Sequence, residues 1–236
     1  MSARDSVIQT PELVEHTLAL LPVRDLLVIA PLVSKMWQAI TLSPTLQRAL
    51  FFEADPTASA SQPVQNPLLV ELFQPFFAPN AAETFPWPGT ATSILEMPWA
   101  QAPEAFKRAD ASWRRMLVTQ PPVQTMVVIQ TRHGMGGSFE RRAVLRDLSL
   151  RMGMLYDFAV PFLHHGRSSF RIIWNNGIAR ESDITFMLSS SSSCMIGVWD
   201  LIRAVDERFD SVGGSEVKIN YGEWVHLDDE DEDVWD

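Results

Sequence analysis

The sequence predicts an α+β protein: a small N-terminal helical module, a proline-rich connection and a mixed α+β C-terminal domain. Three observations predict it. Residues 10–52 hold four short apolar-periodic segments set apart by Pro11, Pro22, Pro31 and Pro44. Residues 56–103 carry nine of the sixteen prolines, a density that blocks long helices and interior strands alike. Beyond them, stretches of strand and helix character follow one another without regular βαβ alternation. The expected organisation is a helical module at 8–53, the connection at 54–103, a domain at 104–227 and an acidic tail at 228–236.

In the module, Thr10 is placed to cap a helix whose first position is Pro11, where no backbone N–H is needed. Leu13, Thr17 and Leu20 form one stripe and Val14, Leu18 and Leu21 the next, which together make an apolar face wider than a surface helix requires. Pro22 stops this helix. Asp25 is placed to cap a second one carrying Leu26, Leu27 and Ile29. Pro31 ends that helix and starts a third, with Leu32, Val33, Met36, Trp37 and Ile40. Ser43-Pro44 repeats the cap-plus-proline start before Leu46, Ala49 and Leu50. So many apolar faces on so few residues need cover from elsewhere.

Residues 54–66 read as a small-residue linker. The rest of the connection carries Leu68, Leu69, Leu72, Phe73, Phe76, Phe77, Trp87 and Trp99. A solvated linker would not hold so many apolar anchors, so the segment is expected to be irregular and pinned across the following domain. Residues 104–117 predict a helix with Phe106, Ala109, Trp113 and Met116 at helical spacing, and Pro121-Pro122 ends it. Residues 123–131 predict a buried strand, followed by a loop at Gly134, Gly136 and Gly137. Residues 142–164 predict a mostly helical segment with Val144, Leu148, Met152 and Leu155 as its stripe. Residues 169–174 predict a strand, Asn176-Gly177 a hairpin turn, and 184–188 the antiparallel partner, running into a serine-rich loop at 189–193. A helix at 195–209 and a short strand at 216–221 complete the reading.

The ordered set Pro11-Glu12-Leu13, Leu18, Leu21-Pro22, Asp25-Leu26-Leu27, Val33-Ser34, Trp37, Ile40 and Ser43-Pro44 resembles the F-box. In that family the helices dock on a Skp-type adaptor, which joins them to a cullin scaffold in an SCF ubiquitin ligase. The resemblance implies that Pro11, Leu13, Leu18, Leu21, Pro22, Leu26, Leu27, Val33 and Trp37 are adaptor-contacting or box-core positions, without dividing them between the two roles. Two positions depart from the pattern: Thr10 stands where the family often has Leu, and Pro31 is unusual within the box. LQRALFF, NPLL, the Phe76-Phe77 cluster, SWRRMLVTQPP and MGMLYDF are similar to the bodies of F-box proteins expanded in filamentous fungi. The resemblance implies a non-enzymatic substrate-recognition subunit, with the body holding an unknown target. The alternative is an F-box-like interaction module acting outside a cullin ligase.

Bulk properties narrow the other classes. The net charge is −10, but seven acids lie in residues 228–236 and leave the preceding residues at −3. A body so nearly balanced offers no basic field for nucleic acid. No apolar run approaches a membrane span, and the first twelve residues hold no signal-peptide core. The single cysteine, Cys194, fits a reducing compartment, so a cytoplasmic or nuclear protein is expected.

Other motifs read as structure. His133-Gly-Met-Gly-Gly-Ser138 lacks the Gly-Lys-Ser/Thr ending of a phosphate loop. His164-His165 and Cys194 have no second ligand pair at metal-binding spacing. Trp199-Asp200 and Trp235-Asp236 lack a propeller-length repeat. No catalytic residue, cofactor or metal is expected. Arg114, Arg115, Arg141, Arg142, Arg146 and Arg151 are the basic concentration. They are either a solvated face paired with the acidic tail or a recognition patch for an acidic or phosphorylated target, in which Arg142, Arg146 and Arg151 are the candidates.

Overall fold

The computed structural model describes residues 10–59, 63–79, 87–101, 104, 108–134, 137–163, 167–175, 182–191 and 225–226. The fold is α+β, with short helices leading into a mixed sheet. The described residues open with five short helices: α1 (Pro11–Leu18), α2 (Val23–Val28), α3 (Ala30–Val33), α4 (Lys35–Ile40) and α5 (Pro44–Ala49). They enclose a small core of Val14, Leu18, Leu26, Ala30, Leu46 and Leu50. Thr10 holds the N-cap of α1 in extended backbone, without a capping bond from its side chain. The start of α2 differs from expectation: Pro22 takes the N-cap, and Asp25 lies in the first turn, where its charge favours the helix dipole. The single helix expected from Pro31 to Ile40 is two. Ser34 adopts extended backbone (φ −163°, ψ 162°), and its Oγ accepts from the Trp37 N–H at 3.1 Å to start α4. Ser43 does the same for α5 and also donates to Glu15 Oε1 at 2.9 Å, which ties α5 to α1.

Residues 63–101 supply β1 (Val64–Gln65), α6 (Pro67–Leu72), a 3-10 turn at Gln74–Phe76, β2 (Gly89–Thr90), α7 (Ala91–Leu95) and a second 3-10 turn at Pro98–Gln101. The expected pinning is present. Leu68, Leu69, Phe73, Phe76 and Phe77 are buried in one core with the sheet and its helix, so this segment is part of the body's interior. Asn66, at the end of the expected linker, is fully buried; its Oδ1 accepts from the Leu68 and Leu69 N–H groups and caps α6. Its Nδ2 donates to the Leu117 carbonyl at 3.3 Å.

The helix expected at 104–117 is cut short. Residues 109–110 turn, with Arg108 bridged to Asp110 at 2.9 Å, and only α8 (Ser112–Arg115) remains among the described residues of its second half. Trp113 and Met116 still reach the core; Phe106 lies outside the described residues. β3 (Thr119–Gln120) pairs with β1 in a two-stranded ribbon.

The main sheet has the order β2-β6-β7-β4-β5-β8, from β4 (Met126–Gly134), β5 (Gly137–Leu145), β6 (Arg167–Trp174), β7 (Ile184–Ser191) and β8 (Val225–His226). β4 and β5 form a long antiparallel hairpin, β6 and β7 a second one, and β4 and β7 run parallel. The expected β6–β7 pair is thus present, while the serine run continues β7 as far as Ser191 instead of starting a loop. The expectation of helix from residue 142 is overturned. Residues 142–145 are strand, paired with β4 from Met126↔Leu145 to Ile129↔Arg142. Asp147 (φ 55°) and Ser149 (φ 42°) then turn the chain, and helix α9 (Met152–Leu163) begins later. The cause is that Ala143 fits a buried strand position equally well, and ladder bonds from β4 outweigh a spacing that helix and strand both satisfy. The elements expected at 195–209 and 216–221 and the Trp99 side chain lie outside the described residues. β8 has no counterpart among the expected elements.

α9 packs on one face of the sheet. Its Leu155, Phe158, Ala159 and Leu163 meet Met126, Val128, Phe170, Ile172, Ile184, Phe186 and Leu188 in the core that also takes the anchors of residues 68–77. Glycine is required at position 89, because a Cβ there would stand 2.3 Å from the fully buried Phe170 ring. Arg114 and Asp157 form a mostly buried ion pair between α8 and α9 (side-chain exposure 13% and 11%). Burial raises the Asp157 carboxyl above its usual range, against the opposing pull of Arg114.

Candidate docking surface

The helical module rests on the body through a defined seam. Val23 and Leu27 of α2 and Phe52 touch both cores. The Leu117 N–H donates to the Phe51 carbonyl at 2.7 Å, and Gln120 Nε2 donates to the Arg48 carbonyl at 2.7 Å. Arg151 donates to the carbonyls of Arg115 and Phe52, and the Arg115 guanidinium lies 5.2 Å from the centre of the Phe52 ring. An exposed ion pair, Arg24–Glu71 at 3.2 Å, flanks the seam. These contacts position the module and consume one side of α2.

Elsewhere on the module, large apolar side chains stay exposed. Eight of the ten exposed large apolar side chains among the described residues fall between Leu13 and Leu42: Leu13, Leu20, Leu21, Val28, Ile29, Leu32, Val33 and Leu42. Leu20 and Leu32 are 86% and 81% exposed, so they contribute little to the module's own packing. An excess of this kind on one small unit is characteristic of a surface that another molecule covers. Glu12 and Lys35 are also exposed on these helices, so charged groups stand among the apolar ones.

The nine residues singled out by resemblance now divide. Leu18 and Leu26 are buried in the small core. Trp37 is half-buried against that core, and Leu27 is half-buried where the two cores meet. Pro11, Leu13, Leu21, Pro22 and Val33 are exposed. Sequence reasoning did not single out Leu20, Val28, Ile29, Leu32 and Leu42 as docking residues. The available signal was the surplus of apolar positions over what one buried stripe per helix can use.

The three candidate arginines do not converge. Arg142 is half-buried within β5, and Arg146 is exposed just after that strand. Arg151 binds the carbonyls of the seam. Within the glycine motif, Gly134 pairs with Gly137 at the end of the β4–β5 ladder, and His133 Nδ1 lies 2.7 Å from Ser138 Oγ. His164, His165 and Cys194 lie outside the described residues. Among the described residues, no group of three His, Cys, Asp or Glu side chains could hold a metal ion, and no helix is long and apolar enough to cross a membrane. Hydrogen bonds from Thr45 and Ser43 hold the Glu15 carboxyl below the usual carboxylate range. Compared with protein-family models, curated proteins and solved structures, the chain has no significant match.

Proposed function

We propose that this chain is a non-enzymatic substrate-recognition subunit of a Skp–cullin–F-box ubiquitin ligase, which binds the Skp-type adaptor through its N-terminal helices and a target protein through its body. The observation that carries this reading is the set of exposed apolar side chains between Leu13 and Leu42 on a module whose own core forms without them. The ordered motif from Pro11 to Pro44 is the ground for choosing this adaptor as the partner. Such a subunit makes and breaks no bonds. It raises the effective concentration of target near the conjugating enzyme. On this reading the protein works in the cytoplasm or nucleus, beside the adaptor.

A purified Skp-type adaptor is expected to form a stable complex with the full-length protein, and Leu20→Asp with Leu32→Asp is expected to abolish it. Both positions are solvent-exposed, so the melting temperature should stay unchanged. Failure of the wild-type chain to bind, or full binding by the double variant, refutes the proposal. Pro31, with the interruption of the α3–α4 segment at Ser34 three residues on, favours a second reading: an F-box-like module that works outside a cullin ligase. A complex that contains the adaptor but excludes the cullin would select it.

A further inference from the structure

The helical module is short of what a folded unit of its own requires. Its longest helix, α1, has eight residues, fewer than the about 12–15 that an isolated helix needs in water. Its own core is six side chains within about forty residues, a size at which a chain needs support from outside. The body supplies that support at the exit from α5. The Arg48 and Glu53 carbonyls accept from Gln120 Nε2 at 2.7 and 3.2 Å, and the Phe51 carbonyl accepts from the Leu117 N–H at 2.7 Å. The Phe52 carbonyl accepts from Arg151 Nη1 at 3.4 Å. Phe51 sits at φ 60°, a left-handed conformation that a bulky residue keeps only where its surroundings impose it. Its side chain is buried, and the Phe52 ring packs on both cores beside the Arg115 guanidinium.

The three donors exist as a group only in the folded body. Leu117 and Arg151, far apart in the chain, meet in an antiparallel bridge. Around it the Val118 N–H donates to the Leu150 carbonyl at 3.2 Å, and the Met152 N–H donates to the Met116 carbonyl at 2.9 Å. Asn66 fixes the same stretch from a third segment: its N–H donates to the Val118 carbonyl and its Nδ2 to the Leu117 carbonyl. We propose that the folded body licenses the docking surface. Helices α1–α5 keep their arrangement, and present Leu20 and Leu32 on a folded module, only while Leu117, Gln120 and Arg151 hold the exit from α5. A partner that recognises the folded module therefore engages only chains whose body is intact, and a chain with a damaged body does not occupy it. This holds whichever molecule covers Leu20 and Leu32, so it stands apart from the adaptor reading.

Hydrogen exchange on the full-length protein, with no partner present, tests the proposal. Gln120→Ala with Arg151→Ala removes the side-chain donors to the Arg48, Phe52 and Glu53 carbonyls, and neither side chain belongs to an apolar core. Amide protection of residues 14–19 and 47–53 is expected to fall about tenfold or more, while strand residues 126–131 and 184–190 keep theirs. Gln120→Ala alone should give a smaller loss in the same helical residues, which keeps the test sound if the double variant folds poorly. A urea series on the wild type supplies the converse: residues 14–19 should hold no protection at any concentration where residues 126–131 have opened. The proposal is overturned if both variants keep wild-type protection in the module, or if the module stays protected after the strands open. Equal loss in module and strands under Gln120→Ala also overturns it, because the seam would then support the body and not hold the module to it.

Discussion

Leu18→Ala and Leu32→Ala remove the same three carbons from two helices of the module, and the structure makes opposite demands on them. Leu18 is fully buried in a core of six side chains, whereas Leu32 is 81% exposed. At about 0.8 kcal/mol per buried carbon, the loss at Leu18 starts near 2.4 kcal/mol. The cavity left among Val14, Leu26 and Leu46 adds to it, within the range of about 2–5 kcal/mol seen for such truncations. Taking about 3 kcal/mol, and a shift of about 2–4 °C per kcal/mol for a chain of this size, the melting temperature should fall by about 6–12 °C. Leu32→Ala should stay within about 0.5 kcal/mol of wild type. Adaptor binding should separate them the other way. Covering Leu32 removes most of its side chain from water, so its loss should weaken binding by about 1–2 kcal/mol, roughly 5–30-fold. Calorimetric melts and titration with the adaptor read both effects. Equal destabilisation by the two substitutions would refute the division into a buried and an open face. Unchanged affinity for Leu32→Ala would remove that residue from the docking surface.

Polar contacts give two further tests. Arg114→Ala leaves Asp157 mostly buried without its ion-pair partner, which should cost about 3–5 kcal/mol in urea unfolding, while the double change Arg114→Met with Asp157→Leu should recover most of it; a neutral Arg114→Ala would show that the pair is solvated. Hydrogen bonds from Thr45 and Ser43 lower the Glu15 pKa in the folded state, so their contribution is present above the ordinary glutamate range and is lost as pH falls through the folded pKa. Ser43→Ala should therefore lower stability at neutral pH by its cap and its Glu15 bond, with the gap narrowing in acid as the second is lost; a gap that widens in acid contradicts the assignment.

The helical module was legible because its punctuation is chemical. Proline is disfavoured in a helix interior and Ser43 before Pro44 is a cap signal, whereas the Ser34 cap that divides α3 from α4 went unread. The sequence also signalled that Phe73, Phe76 and Phe77 would be pinned, since aromatic side chains at that density do not stay in water. The misreadings share a cause. Val144 and Leu148 are four apart and suit a helix, but Ala143 and Leu145 suit a strand, and only the presence of β4 alongside settles the matter. Residues 109–110 turn where local propensity favoured continued helix. β8 is two residues long, too short to leave a pattern.

The sequence by itself determined that an apolar helical unit sits at one end, that an acidic segment sits at the other and that an α+β body lies between them. Those are properties of composition and of period, which are written residue by residue. Tertiary structure alone decided which apolar residues are spare. Leu18 and Leu20 are alike as sequence, yet one is sealed in a core and the other is 86% exposed, because burial depends on what the other helices have already filled. It also decided that Arg142 and Arg171, far apart in the chain, flank one strip of the sheet, since register is set by pairing between distant segments and not by either strand alone.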